Sequence, residues 1–128
     1  MKTRLILLLM VSLLFGTSNL SAQSIAYKLA TLEKGGYVSE DDKLVKRFDN
    51  LLTQLDKKYK VNEQQIGDMT YKLKELLKEK GIDCSMIKVM EGANKVKIKT
   101  YAEYLGYYLT LREKGYNHDD TIESLKLL

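Results

Sequence analysis

The chain contains one histidine and one cysteine, so few side chains are available for acid–base, nucleophilic or metal chemistry. His118 is followed by Asp119 and Asp120, and a carboxylate beside an imidazole can orient it as a general base. The alternative, which we favour, is a solvated histidine in the first turn of a helix. No nucleophile motif supports a Cys84–His118 dyad, and this pair alone cannot form a typical zinc or copper site. We therefore predict no catalytic residue, no metal site and no cofactor.

Three pairs of carboxylates lie close together in the sequence: Asp41 and Asp42, Glu75 and Glu79, and Asp119 and Asp120. Two carboxylates across a cleft are the machinery of glycoside hydrolysis. The first and third pairs, however, fall in the first turns of predicted helices, where capping and the helix dipole account for them. The middle pair lies among lysines on a charged solvent face. No Walker, GxGxxG, GxSxG or HExxH motif is present, so we expect a protein that is not an enzyme.

Tyrosine is the unusual residue of this chain, with nine copies against two phenylalanines. Four of them fall within eight positions: Tyr101, Tyr104, Tyr107 and Tyr108. On a helix these tyrosines share one flank, and Leu105 and Leu109 lie on the neighbouring flank. The two flanks cover more than half of the circumference, well above the roughly 100° stripe of a surface helix. One interpretation is therefore a central helix covered on both flanks, with each phenol reaching a hydrogen-bond partner.

The other interpretation leaves the tyrosine flank partly exposed as a contact surface. Tyrosine and arginine are enriched in protein interfaces, and Gly106 would allow another backbone to approach closely. The candidate partner-binding residues are Tyr104, Tyr107, Tyr108 and Arg112.

The elements that must position these residues are helices. Proline is absent and the helix-forming residues leucine, lysine and glutamate are abundant, which indicates an all-α fold. We predict a compact bundle of five to six short helices packed as antiparallel helical hairpins. The predicted helices cover about 24–34, 40–59, 63–80, 86–90, 101–114 and 118–128. Predicted N-caps are Ser39, Asn62, Asp83, Thr100 and Asn117, and predicted glycine stops are Gly35, Gly81 and Gly115.

The apolar positions of these helices recur at helical spacing and predict the core. The predicted core residues are Leu29, Leu32, Leu44, Phe48, Leu51, Leu55, Ile66, Met69, Leu73, Leu76, Ile87, Leu105 and Leu109. Cys84, which has no second cysteine to pair with inside the chain, is expected to be buried.

The stretch from Asp83 to Lys99 allows two structures. A short helix with Met86, Ile87 and Met90 on its apolar face could precede an extended linker. Alternatively, 87–90 and 95–99 could be two strands, because the second of these segments alternates apolar and polar residues. We favour the helix and linker, since an isolated two-stranded hairpin is only marginally stable.

The first 22 residues have the three parts of a secretory signal peptide. Lys2 and Arg4 supply a positive head, Leu5 to Phe15 is a predominantly apolar stretch, and small and polar residues lead to a cleavage site after Ala22. The apolar stretch is shorter than the ~20 residues that a membrane-spanning helix needs. We therefore predict that residues 1–22 are a cleaved signal peptide; the alternative is an uncleaved N-terminal anchor.

The remaining residues, 23–128, have the length of a single helical domain. The whole chain has 21 basic and 17 acidic side chains; without Lys2 and Arg4 the numbers are 19 and 17, a net charge of +2. The two signs are interleaved, so we expect no nucleic-acid partner. We also expect no stable membrane insertion after cleavage.

Together these features predict a periplasmic or secreted, non-enzymatic helical domain that binds another macromolecule, with a protein as the favoured partner. A narrower alternative is a periplasmic inhibitor or immunity-type protein that neutralises a toxin or hydrolase. A carboxylate-based envelope enzyme is the least favoured alternative.

Overall fold

Six runs of helix-forming residues, each opened by a side-chain cap, become six α-helices in the computed structural model, which describes residues 24–128. The helices are α1 (Ile25–Lys34), α2 (Lys43–Tyr59), α3 (Glu63–Glu79), α4 (Met86–Ala93), α5 (Tyr101–Glu113) and α6 (His118–Leu125). The described residues contain no strand, and the predicted all-α bundle is confirmed. The predicted signal peptide, 1–22, lies outside the described residues. Within 24–128 no helix combines the length and apolarity needed to cross a bilayer.

The helices pack as hairpins in the first half of the domain, and in the second half α5 packs against α3 and α6. Helix α1 packs mainly against α2, α3 packs against both α2 and α5, and α6 closes against α5. Nearly all of the predicted core is buried, and Leu32, Leu44 and Leu76 are partly buried against it. The core prediction is therefore confirmed, and it is extended by large side chains of α4 and α5 that the prediction omitted, above all Met86 and Tyr101.

Most helix ends follow from local sequence. The side chains of Asn62, Thr100 and Asn117 accept hydrogen bonds from backbone N–H groups three residues on, as predicted. Thr100 and Glu103 occupy the two positions of a capping box: the Thr100 hydroxyl oxygen accepts from Glu103 N at 3.0 Å, and the hydroxyl donates to the Glu103 carboxylate at 3.0 Å. At the other ends, the three predicted glycine stops have positive φ angles of 74°, 74° and 101°, a region that glycine enters without strain.

Two predicted N-caps are wrong. Helix α2 begins after Asp42, whose carboxylate accepts from Leu44 N at 2.8 Å and pairs with Lys34 at 3.1 Å. The ion pair to the last residue of α1 also favours Asp42 at this position, and the Ser39 hydroxyl bonds the Asp41 carboxylate instead. Helix α4 is capped by Ser85, not Asp83. Here the cause is a contact from α1, described below.

The segment 83–99 is the predicted short helix and extended linker. Val96 and Ile98 are buried, whereas Lys95 and Lys97 are exposed. Apolar and polar residues alternate in the linker because one side of it packs against the core. The linker is held without a partner strand, because Lys58 Nζ donates to the carbonyls of Ala93 and Val96 at 2.7 Å each.

Gly92 lies where α4 packs against α6, and we expect this position not to tolerate a larger residue. A Cβ at Gly92 would lie 2.4 Å from Ile122 Cδ1 and 2.7 Å from the Tyr104 hydroxyl. Gly92→Ala should therefore destabilise the protein by about 1–3 kcal/mol, the usual range for overpacking. Gly36→Ala is the matched control, since nothing lies within 4 Å of a Cβ there. Equal unfolding free energies of the two variants in urea would contradict this packing.

Candidate functional site

The predicted contact surface on α5 is not a single surface. Tyr104 and Tyr108 have 0% of their area exposed, whereas Tyr107 is 38% exposed and Arg112 is half-buried. The proposal that the first two tyrosines meet a partner is therefore corrected: they belong to the core. The reason is that α5 is covered by α3 on one side and α6 on another, which is the central-helix alternative.

Each buried phenol has a hydrogen-bond partner on another helix. Tyr101 bonds Thr70 of α3 at 2.6 Å, and Tyr104 donates to the carbonyl oxygen of Val89 in α4 at 2.5 Å. Neighbouring ring centroids along α5 are 5.9 and 6.1 Å apart, and the Tyr59 ring of α2 lies 5.5 Å from that of Tyr101. We call this set the tyrosine row; its members are Tyr59, Tyr101, Tyr104 and Tyr108.

Burial disfavours the phenolate form of every member of the tyrosine row. It raises the pKa of Tyr59 and Tyr108 to about 12. It also raises the pKa of Tyr101 and of Tyr104 well above the ordinary value of 10. These hydroxyls are therefore neutral hydrogen-bond donors at physiological pH.

At the end of the row where α5 terminates, a cleft of about 540 Å³ opens to solvent. We call it the helix-end cleft. Five helices contribute side chains to it: Glu33 from α1, Lys74 from α3, Lys88 from α4, Tyr108 and Arg112 from α5, and His118 from α6. The loop between α3 and α4 completes it with Asp83, Cys84 and Ser85.

Glu33 fixes one wall of the helix-end cleft. Its carboxylate accepts from the Ser85 hydroxyl at 2.7 Å and from the backbone N–H groups of Met86 and Ile87 at 3.0 and 3.1 Å. A carboxylate at a helix N-terminus satisfies free N–H groups and complements the helix dipole. Lys74 lies 3.6 Å from the same carboxylate and also donates to the Cys84 carbonyl at 2.7 Å. Glu33 thus caps α4 from another helix.

A hydrogen-bonded chain of three side chains forms the opposite wall. Arg112 donates through Nη1 to the Tyr108 hydroxyl oxygen at 2.9 Å, and that hydroxyl lies 2.8 Å from His118 Nδ1. Because arginine can only donate, the phenol proton is assigned to the bond with Nδ1. His118 is therefore a neutral imidazole with its proton on Nε2. It is half-buried, not the solvated residue that the sequence led us to expect.

The electrostatics around His118 favour its neutral form. Burial lowers its pKa below the ordinary 6.5; Lys88, Arg112 and Lys95 lower it further, and Asp119 opposes them. Across the whole cleft, three positive side chains (Lys74, Lys88 and Arg112) face two negative ones, Glu33 and Asp83. One net positive charge results.

Cys84 lies in the helix-end cleft but is not a reactive thiol. It is 7% exposed, and burial raises its pKa to about 11, so it is protonated at neutral pH. Within residues 24–128 it is the free cysteine that the sequence predicted to be buried. The same part of the chain has no group of three histidine, cysteine, aspartate or glutamate side chains placed to hold a metal ion.

Sequence reasoning identified Arg112 but missed Glu33, Lys74 and Lys88. The Glu33 contacts span more than fifty positions of the chain, and no local pattern encodes them. Lys88, by contrast, could have been noticed from the local sequence. It is the third residue of α4, where a glutamate would complete a capping box with Ser85, and a lysine there opposes the helix dipole.

No family model matches the chain, and neither a curated protein nor a solved structure is significantly similar to it. The function must therefore be argued from the side chains themselves.

The lowered pKa of His118 predicts a pH dependence of stability. In the unfolded chain the imidazole binds a proton near pH 6.5, whereas the folded protein binds it only at lower pH. Stability is therefore complete above about pH 7 and falls as the pH drops through 6.5 toward the folded pKa. The melting temperature, measured at pH 7.5, 6.5 and 5.5, should decrease for the wild type. The melting temperature of His118→Gln, whose side chain can still accept from Tyr108, should change little over this pH range. An equal decrease in both proteins would disprove the assignment of the pH dependence to His118.

Proposed function

We propose that the protein is an exported, non-enzymatic domain that binds another protein. Export is supported by the pattern over 1–22, with its positive head, apolar stretch and small-residue site. Binding is supported above all by one observation: five helices present charged and polar side chains in a single solvent-open cleft.

Three charged side chains of the helix-end cleft are held in place before any partner arrives. Arg112 Nη2 donates to the Asp83 carbonyl at 2.9 Å, Lys74 donates to that of Cys84, and Glu33 accepts from the backbone of α4. A binding surface whose polar groups are already ordered loses less conformational entropy on association. This arrangement favours a recognition site over a merely solvated surface.

Two exposed tyrosines lie close in sequence to residues that line the helix-end cleft. Tyr37, 87% exposed, follows Glu33 by four residues in the loop between α1 and α2. Tyr116, 43% exposed, precedes His118 by two residues in the loop between α5 and α6. Tyrosine and arginine are both enriched among interface anchors. The proposed contact surface is therefore the helix-end cleft with Tyr37 and Tyr116, and it keeps Arg112 from the prediction.

The enzyme alternative has less support. Glu33 and Asp83 both line the cleft, but the Glu33 carboxylate is engaged by a hydroxyl, two backbone N–H groups and Lys74. A carboxylate held in this way is not available as a general acid or base. The inhibitor or immunity-type proposal is a special case of protein binding, and the identity of the partner distinguishes it.

Capture of a partner from the envelope or culture fluid of the source cells tests this function. The wild-type protein, tagged after Leu128, should retain a protein partner in stoichiometric amount. Replacing Tyr37 and Tyr116 by alanine should weaken capture about tenfold or more, as loss of anchor residues does. Tyr107, a candidate partner-binding residue predicted from the sequence, is not among the residues that line the cleft. Tyr107→Ala is therefore the control, and normal capture by it would distinguish the cleft from the surface that the sequence predicted. N-terminal sequencing of the exported protein should begin at Gln23.

Retention of no protein by the wild type would contradict the proposal, and so would normal capture by the double variant. If the captured protein is a single enzyme whose activity falls on binding, the inhibitor alternative is the correct form of the proposal.

A further inference from the structure

Two of the three cations in the helix-end cleft have no carboxylate partner. Lys74 is paired with Glu33 at 3.6 Å. Within residues 24–128, by contrast, no carboxylate lies within 4 Å of the charged nitrogens of Lys88 or Arg112. Both side chains, together with Lys95, act on His118 as nearby positive charges, and Asp119 beside it in the chain acts as a negative one. The corner of the cleft between α4, α5 and α6 is therefore positively charged and lined by hydrogen-bond donors.

Hydrogen bonds orient Arg112 in this corner, and some of its N–H groups remain available to a ligand. Its guanidinium has five N–H groups, of which one on Nη1 is given to Tyr108 and one on Nη2 to the Asp83 carbonyl. Nε is buried and has no acceptor among residues 24–128. The guanidinium carbon also lies 5.7 Å from the centroid of the Tyr108 ring. One hydrogen on each of Nη1 and Nη2 remains available to an acceptor, and a carboxylate is a strong acceptor for a guanidinium.

Lys88 occupies a position that helix stability does not favour. It is the third residue of α4, close to the N-terminal end where the helix dipole repels a cation. It is also exposed, and within residues 24–128 no carboxylate pairs with its ammonium group to hold it there. A role in recognition accounts for a lysine at this position better than a role in folding does.

We propose that the helix-end cleft binds the carboxylate of an aspartate or glutamate side chain of the partner protein, held between Arg112, Lys88 and His118 Nε2. The inference rests on the proposed function and names the chemistry by which the partner is recognised. The net charge of the cleft decides the class of anion: one surplus positive charge matches a singly charged carboxylate. A carboxylate neutralises this charge, whereas a phosphate dianion would leave a net negative charge next to Glu33 and Asp83, which line the same cleft.

The only histidine of the chain provides the test. Its ring proton resonances are unique in the NMR spectrum of the purified protein, and a bound anion must raise its pKa. The probes are the blocked peptides acetyl-Gly-Glu-Gly-amide, acetyl-Gly-Gln-Gly-amide and the corresponding phosphoserine peptide, at constant ionic strength. At saturation the glutamate peptide should raise the pKa of His118 by about one pH unit. The glutamine peptide should leave it unchanged.

Equal effects of the glutamate and glutamine peptides, or no effect of either, would overturn the proposal. Tighter binding of the phosphoserine peptide would overturn the assignment to a carboxylate. These outcomes are separate from the capture experiment: a captured partner with no response to the glutamate peptide leaves the proposed function standing and removes this inference. A response to the peptide without any captured partner leaves a carboxylate-binding cleft standing and removes its assignment to a partner protein.

A pair of charge-matched variants makes the test specific. Lys88→Gln should weaken binding of the glutamate peptide at least fivefold, with the shift in the His118 pKa measured from the value in the free variant. The variant should have the wild-type melting temperature or a higher one. Lys43→Gln removes the same charge from the exposed start of α2 and should bind as the wild type does. Undiminished binding by Lys88→Gln, or equal weakening by both variants, would show that the cleft is not the site.

Discussion

The need to satisfy four buried phenol groups constrains the whole domain. A buried hydroxyl without a hydrogen bond is strongly unfavourable, so each ring of the tyrosine row must end at an acceptor, and each acceptor lies on another helix. Tyr59 of α2 reaches the Ala93 carbonyl, Tyr101 reaches Thr70 of α3, Tyr104 reaches the Val89 carbonyl, and Tyr108 reaches His118 of α6. The row thereby fixes the positions of five helices relative to one another, with a specificity that apolar contacts alone would not provide.

The helix-end cleft is the continuation of this row into solvent. Tyr108 is at once the last core aromatic of α5 and the group that joins Arg112 to His118. On the facing wall, Glu33 ties α1 to the first turn of α4. The core and the cleft therefore share side chains, which explains how a small helical bundle can hold charged groups rigidly at its surface.

Local patterns predicted the fold well, because helix capping, glycine stops and apolar periodicity are encoded within a few residues. Asn62, Thr100 and Asn117 cap the helices that they were predicted to cap, and the linker after α4 was recognised as extended. The role of Tyr104 and Tyr108 could not be decided in this way, since a flank rich in tyrosine suits a covered helix and an interface equally. Glu33 was missed because its contacts join distant parts of the chain.

The measurement that tests this account most directly is a spectrophotometric titration of the tyrosines at alkaline pH. Tyr59, Tyr101, Tyr104 and Tyr108 are four of the nine tyrosines in the chain, and burial raises the pKa of the first and last to about 12. The account predicts that about four-ninths of the absorbance change at 295 nm appears only near pH 12 or with alkaline unfolding. Ionisation of all nine phenols in a single step near pH 10, with the protein still folded, would contradict it.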